Sequence, residues 1–192
     1  IGVLYGAVKE GDVVAVVGAG PVGLASVMTA RSSGASRVIA VDGNKFRLER
    51  SLDFGATDTI DILAGGNTVE QIKALSRGGL GVDVAIEAVG LGPAFRTSLD
   101  CLRPGGHLAN VGVHGRSVEL PIDRDWINNL TLTTGLVNAT TAPELLTQIE
   151  QGIISPEKFV THHFTFDEFD RAYDTFSNAA DEHALKVIIS NG

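Results

Sequence analysis

Cysteine is nearly absent from this 192-residue sequence, in which Cys101 is the only one. A single cysteine excludes an internal disulfide and a structural zinc site built from several thiolates. Because it falls in a segment with helical spacing, residues 94–102, we expect a small buried side chain rather than a nucleophile.

Basic residues and long apolar runs are also scarce. The chain has 15 Lys and Arg against 23 Asp and Glu, which gives a formal net charge of −8. No basic run could follow a phosphate backbone, so we expect no nucleic-acid partner. No apolar stretch reaches the roughly eighteen residues of a membrane span, and the first residues lack the order of a signal peptide. We therefore expect a cytoplasmic globular protein with no membrane partner.

The familiar signatures of metal, nucleophilic and phosphoryl-transfer sites are missing as well. There is no H-E-x-x-H, no G-x-S-x-G elbow and no G-K-[ST] after the glycines. The two adjacent histidines, His162 and His163, lie in a strand pattern and would point to opposite faces. His114 is expected in a solvated loop. We predict no metal site and no catalytic residue in this chain.

Glycine, by contrast, is abundant, and residues 14–23 read V-A-V-V-G-A-G-P-V-G. This is an apolar strand followed by G-x-G-x-x-G, the dinucleotide-binding fingerprint. Gly18 would permit the tight turn, Gly20 would let a pyrophosphate approach the backbone, and Gly23 would let the next helix pack on its strand. A helix starting near Pro21 and Val22 would offer free N–H groups to the phosphates.

An acidic residue follows at the expected distance. Asp42 lies nineteen residues after the last fingerprint glycine, at the end of a second apolar run, and its carboxylate could accept both adenosine-ribose hydroxyls. A 2′-phosphate there would meet a like charge, so NAD is favoured over NADP. Arg47 could reach the ribose or a phosphate, which keeps some NADP binding open.

Strand and helix signals alternate along the chain and favour an α/β fold with a doubly wound, six-stranded parallel sheet, the Rossmann fold. The predicted strands are residues 13–17, 38–41, 58–62, 82–87, 106–113 and 130–136. The predicted helices are residues 21–33, 44–54, 67–76 and 93–102. A cofactor would then lie outside the carboxyl ends of the strands, where the candidate contacts are Ala88, Val89, Val111, Val113 and Leu136.

The pattern changes after residue 137. Helices are predicted at 142–150 and 167–176 and strands at 159–166 and 184–189, which makes a C-terminal α+β extension. The best boundary lies within residues 138–143. We therefore divide the chain into a NAD-binding domain, residues 1–137, and a C-terminal segment, residues 138–192.

Several segments together resemble a known family: G-A-G-P-V-G-L, V-D-G-N-K-F-R-L, F-G-A-T, G-V-D-V-A-I-E-A-V-G, L-R-P-G-G and the closing A-L-K-V-I-I. In order and spacing they are similar to the zinc-containing medium-chain alcohol dehydrogenases, over nearly the whole chain. The resemblance implies cofactor roles for Gly18, Gly20, Gly23, Asp42 and Arg47, and places Lys186 near the cofactor phosphates. It implies an NAD-dependent enzyme acting on a small alcohol or carbonyl.

The resemblance also implies that something is missing. Family members begin with a catalytic domain that carries the zinc ligands, and this chain starts just before the dinucleotide-binding strand. Zinc is therefore expected only in that domain, and this segment alone is expected to be inactive. Residues 138–192 would complete the catalytic domain, which predicts exposed apolar surface on them.

Other interpretations stay open. The chain could be an isolated, non-catalytic dinucleotide-binding module. A flavoprotein is a third possibility, although such chains usually carry Glu where this one has Asp42, and a methyltransferase is disfavoured by the third glycine. The run L-T-L-T-T-G at residues 130–135 predicts an edge strand, and family members associate through this side of the sheet, so a homo-oligomer, at least a dimer, is expected.

Overall fold

The computed structural model describes residues 1–191 and separates into two compact units, residues 1–140 and the residues from 141 onward. Each unit has its own sheet, of six strands in the first and two in the second. The division into a NAD-binding domain and a segment that completes a catalytic domain stays a prediction.

The first unit is built on a parallel sheet with the strand order β3-β2-β1-β4-β5-β6. The strands are β1 Val13–Val17, β2 Arg37–Asp42, β3 Asp58–Asp61, β4 Val82–Glu87, β5 Leu102–Asn110 and β6 Thr131–Thr134. Every residue of β1 is buried, because helices cover both faces of a doubly wound sheet. The predicted Rossmann fold is confirmed.

In residues 1–140, six α-helices accompany the strands, and the four that were predicted begin close to the predicted positions. The six are α1 Gly2–Tyr5, α2 Pro21–Ser32, α3 Lys45–Asp53, α4 Thr68–Ala74, α5 Gly92–Asp100 and α6 Ile122–Asp125. Asn44 caps α3 by accepting from the Arg47 N–H at 3.1 Å, and Asn67 caps α4 by accepting from the Val69 and Glu70 N–H groups. These asparagines were predicted as the first helical residues and are the caps that satisfy orphan N–H groups.

The predicted start of the fifth strand, at residue 106, was wrong. β5 already pairs at Leu102, which lies opposite Val82, while His107 lies opposite Val84. The surplus residues on β5 form a bulge, in which Gly105 takes a positive φ of 75°. The strand also ends before the predicted residue 113, because the N–H groups of Val111 and Gly112 both turn to the Glu87 carbonyl oxygen.

The predicted helix over residues 93–102 ends earlier, at Asp100, and Cys101 caps it. The Cys101 side chain is fully buried, and burial raises the pKa of its thiol to about 12. The thiol is therefore uncharged at neutral pH and unsuited to nucleophilic attack. The four-residue helices α1 and α6 were not predicted, because one turn carries too little periodicity to be recognised.

The second unit contains the parallel pair β7 Val160–Thr165 and β8 Lys186–Ser190, with the helices α7 Ala142–Glu150 and α8 Phe169–Ser177. Thr165 and Glu168 form a capping box ahead of α8. The helices carry large apolar side chains that are at least half exposed in this chain, namely Leu146, Phe169, Tyr173 and Phe176. Within residues 1–191 no helix has the length and apolar character needed to cross a membrane.

Candidate cofactor site

A cavity of about 490 Å³ lies in the first unit, where β1, β2 and β4 end. In a doubly wound sheet this is the edge at which ligands bind, beside the point where the strand order reverses between β1 and β4. Six of the thirteen predicted cofactor residues line it: Gly18, Gly20, Asp42, Arg47, Ala88 and Val89.

The three fingerprint glycines are needed for three different reasons. Gly18 has a φ of 98°, and a Cβ there would lie 2.6 Å from Val89 Cγ2. At Gly23 a Cβ would lie 1.7 Å from the Gly18 carbonyl oxygen, so only glycine lets α2 approach the loop after β1. Around Gly20 a Cβ would meet no atom of residues 1–191 within 4 Å.

Packing therefore does not require a glycine at residue 20. Nor does the backbone require glycine there, since Gly20 has φ −69° and ψ −178°, which any residue adopts. A position where the chain itself leaves room for a side chain, at the start of a helix, suits the close approach of an anionic ligand.

The first turn of α2 supplies the donors for such an anion. Pro21, Val22 and Gly23 open this twelve-residue helix, with Gly20 as its N-cap residue. The N–H groups of a first turn have no acceptor within the helix, and the helix dipole places a partial positive charge there. The proline removes no useful donor, because it occupies the first helical position.

The Asp42 carboxylate is held in place by the backbone around it. Its Oδ2 accepts from the Ala19 N–H at 2.7 Å and its Oδ1 from the Asn44 N–H at 2.8 Å. A carboxylate offers about four acceptor sites, so roughly two remain free beside the cavity. That number matches the two hydroxyls of a ribose.

Arg47, in the first turn of α3, also lines the cavity. Its Nε is buried and has no hydrogen-bond partner in the part of the chain that the structure describes. A buried guanidinium N–H without an acceptor is costly, and a ligand oxygen in the cavity would remove that cost. Together with the space at Gly20 and the free acceptors of Asp42, this fits a dinucleotide.

Four other predicted residues are not among those that line the cavity. Val111 and Val113 follow β5, and Leu136 follows β6, where its carbonyl oxygen accepts from the Tyr5 hydroxyl at 3.3 Å. The side chains of Val113 and Leu136 are 90% and 86% exposed. Lys186 begins β8 in the second unit and is exposed. Their cofactor roles stay predictions.

The sequence did not reveal the importance of Glu87, the last residue of β4, whose side chain is fully buried. Its Oε1 accepts from the Val89 N–H at 2.9 Å and from the Gly90 N–H at 2.8 Å. Two backbone donors partly compensate for the loss of water around the buried carboxylate. The available signal was the single acidic residue that closes the apolar run V-A-I-E.

The expectation that His114 is a solvated loop residue was wrong. Its side chain is only 16% exposed, because it packs edge-on against Phe95 with ring centroids 6.0 Å apart. Its Nε2 lies 2.9 Å from Asn110 Oδ1 and 3.5 Å from Glu87 Oε2. The imidazole lies beside the buried carboxylate, where two neighbouring strands end. This contact could not be predicted because the two residues are far apart in the sequence.

Across residues 1–191, no three side chains of His, Cys, Asp and Glu come together in an arrangement that could hold an ion. The fold, the glycine loop and the acidic residue at the end of β2 define a dinucleotide-binding domain.

Comparison with known proteins identifies the family. A family model described as zinc-binding dehydrogenase matches residues 21–151. An alcohol dehydrogenase of Cupriavidus necator is 36% identical over 188 residues, which are 95% of this chain and 50% of that protein. The NADP-dependent isopropanol dehydrogenase of Thermoanaerobacter brockii is 34% identical, over 95% of this chain and 53% of its own length.

Among solved structures, the apo form of zinc-dependent alcohol dehydrogenase 2 from Streptococcus pneumoniae superposes with a TM-score of 0.94 and 46% identity. It is matched over all of this chain and 55% of its own. The chain belongs to the zinc-binding dehydrogenase family, and the predicted resemblance is confirmed. It spans about half the length of the curated relatives that it matches.

Proposed function

We propose that this chain is the NAD-binding portion of an enzyme that transfers hydride between an alcohol and NAD. The observation that carries the proposal is the cavity between Gly20, Asp42 and Arg47, where backbone space, free carboxylate acceptors and an unsatisfied guanidinium N–H converge. Membership of a family whose matched relatives include alcohol dehydrogenases supports the substrate class.

Each residue has a defined task in this proposal. The first turn of α2 binds the pyrophosphate against Gly20, and the Asp42 carboxylate accepts the two adenosine-ribose hydroxyls. Arg47 donates from Nε to a ribose or phosphate oxygen. When bound, NAD would supply a nicotinamide ring able to take up hydride from the alcohol carbon, with release of the hydroxyl proton and formation of a carbonyl.

The zinc of the family belongs, in this proposal, to the half of the longer enzymes that this chain does not span. Residues 138–192 would complete that catalytic domain, and the exposed apolar side chains of α7 and α8 would pack against it. The natural alcohol would be selected there. A cytoplasmic location remains a prediction.

Isothermal titration of the 192-residue chain with NADH and NADPH tests the cofactor assignment. We expect NADH to bind at least roughly tenfold more tightly than NADPH, because the 2′-phosphate would meet the Asp42 carboxylate. Alcohol oxidation should be absent from this chain and present in a longer form that includes the zinc ligands. Binding of neither nucleotide would contradict the proposal, and NADH binding by a longer form that oxidises no alcohol would favour a non-catalytic module.

The chain is also proposed to form a homodimer through β6. This strand is an edge of the six-stranded sheet, and Thr131, Leu132 and Thr134 are exposed on it. An open edge presents unpaired backbone groups to a second copy, and two-fold pairing would extend the sheet.

Sedimentation at micromolar concentration tests this association, with a dimer as the expected species. Thr131→Lys should weaken the dimer roughly tenfold or more, since two-fold symmetry brings the two introduced charges close together. Thr59→Lys, at an exposed position on the opposite edge strand β3, is the matched control and should leave the association unchanged. A monomeric unsubstituted chain would refute the proposal.

A further inference from the structure

Glu87 connects two loops at the carboxyl edge of the sheet. Its carboxylate Oε1 accepts from the backbone of Val89 and Gly90, in the loop after β4. Its backbone carbonyl oxygen accepts from Val111 and Gly112, in the loop after β5. One buried residue therefore fixes the start of both loops.

The second oxygen of this carboxylate faces His114. Glu87 Oε2 is buried and has no hydrogen-bond partner among the described residues, and His114 Nε2 lies 3.5 Å from it. The Glu87 carboxylate fits here because Gly112 has no side chain. A Cβ at residue 112 would lie 2.3 Å from Oε2. The pair is thus in range for electrostatic attraction without a formed hydrogen bond.

The neighbours of His114 Nε2 identify this nitrogen as a hydrogen-bond donor. Asn110 donates from Nδ2 to the Gly112 carbonyl oxygen at 3.3 Å, which leaves its Oδ1 to face His114 Nε2. Both neighbours of Nε2, Asn110 Oδ1 and Glu87 Oε2, are acceptors, so Nε2 carries a proton. His114 therefore directs an N–H to the buried carboxylate and to the end of β5 at once.

The two loops lie on different parts of the proposed cofactor path. Val89 lines the cavity that also contains Asp42 and Arg47, which is the adenosine side. β5 lies on the far side of β4 from β1 and β2. A dinucleotide that crosses from Asp42 over the glycine loop extends toward the ends of β4 and β5, so residues 111–114 would lie by its nicotinamide half.

We propose that Glu87 and His114 are a pair of positioning residues that hold the loop after β5 against the loop after β4 and so orient the nicotinamide half of the bound dinucleotide. The inference rests on the proposed function. Neither side chain is assigned a contact with the cofactor or a proton transfer, and the pair acts through the backbone of residues 111–114.

Titration with two ligands, NADH and ADP-ribose, tests the proposal, because ADP-ribose lacks the nicotinamide ring. In His114→Leu, which removes the Nε2 donor, we expect NADH to bind roughly tenfold more weakly, the effect of losing the hydrogen bond to Asn110 Oδ1 together with the attraction to the Glu87 carboxylate. Binding of ADP-ribose should stay within about twofold. A purely structural defect would weaken both ligands alike.

Two further variants make the test specific. His114→Gln keeps an N–H donor near the position of Nε2 and should recover most of the NADH affinity. His107→Gln replaces a half-buried histidine of β5 that is not part of the pair, and should change neither affinity. Thermal melting of each variant identifies any that fails to fold. If His114→Leu does, His114→Phe takes its place, because it keeps an aromatic ring against Phe95 but has no donor, and the same selective loss of NADH affinity is expected.

The outcomes separate the inference from the function on which it rests. If the unsubstituted chain binds neither ligand, the proposed function fails and the inference fails with it. If it binds both but His114→Leu leaves both affinities unchanged, or lowers them equally, the positioning role alone is refuted.

Discussion

Gly23→Ala should lower the free energy of unfolding by about 3 kcal/mol, which corresponds to a fall in melting temperature of roughly 6–12 °C for a chain of this size. The reason is steric, because the new Cβ would lie 1.7 Å from the Gly18 carbonyl oxygen. That atom belongs to the backbone and cannot rotate away. Either α2 moves away from β1 or the glycine loop shifts, and NADH binding is lost in both cases.

Gly20→Ala is the matched control, three residues earlier at the N-cap of the same helix. Its Cβ meets no atom of residues 1–191 within 4 Å, and the backbone at Gly20 suits alanine. We expect the melting temperature to fall by less than about 3 °C, the modest cost of alanine at a helix N-cap. NADH affinity should nevertheless fall at least roughly tenfold, because the methyl group occupies the path of the pyrophosphate.

Calorimetric melting and NADH titration of both variants give four numbers with a distinct pattern. Loss of stability only in Gly23→Ala, with loss of binding in both, separates a packing glycine from a ligand-approach glycine. Normal NADH binding by Gly20→Ala would mean that no phosphate passes over this residue, and an unchanged melting temperature for Gly23→Ala would contradict the packing of α2 on the loop.

Most strands of the sheet and the starts of its helices could be predicted from the sequence, because the patterns that indicate them are local. Runs such as V-V-A-V-V are apolar throughout, as a strand covered on both faces requires, and Asn44 and Asn67 mark helix starts through their capping chemistry. Each of these signals is read within a few residues. These signals can therefore be recognised without knowledge of the tertiary structure.

What the sequence did not predict depends on contacts between distant residues. The bulge in β5 is visible only once Val82 and Val84 are known to be its neighbours. The Glu87 and His114 pair joins residues twenty-seven positions apart, and the segment G-V-D-V-A-I-E-A-V-G that contains Glu87 gives no sign of its partner. The sequence predicts different tasks for Gly20 and Gly23, but only the coordinates show that a Cβ would meet the Gly18 carbonyl oxygen at Gly23 and open space at Gly20.

Asp42→Ala should change the preference between NADH and NADPH by roughly a hundredfold. Removal of the carboxylate takes away the acceptor of two ribose hydroxyls, each worth about 1 kcal/mol or more in a charged hydrogen bond, and ends the repulsion of a 2′-phosphate. NADH affinity should therefore fall while NADPH affinity rises. Arg47, whose Nε is unsatisfied, is the residue placed to receive the phosphate.

Two matched variants distinguish this effect from damage to the loop, since Asp42 also accepts from the N–H groups of Ala19 and Asn44. Asp61→Ala removes the carboxylate opposite Asp42 in the register of β2 and β3, where it accepts from the Leu63 N–H, and should leave the nucleotide preference unchanged. Adding Arg47→Leu to Asp42→Ala should abolish the gain in NADPH affinity.

The ratio of the NADH and NADPH affinities, measured by calorimetry, distinguishes a change in cofactor preference from damage to the glycine loop. A loss of glycine-loop order would weaken both nucleotides together, because they share the pyrophosphate and both riboses. A change in their ratio requires a group that faces the 2′ position. If Asp42→Ala weakens NADH and NADPH equally, the carboxylate serves only to hold the glycine loop, and the preference for NAD has to be sought at another residue.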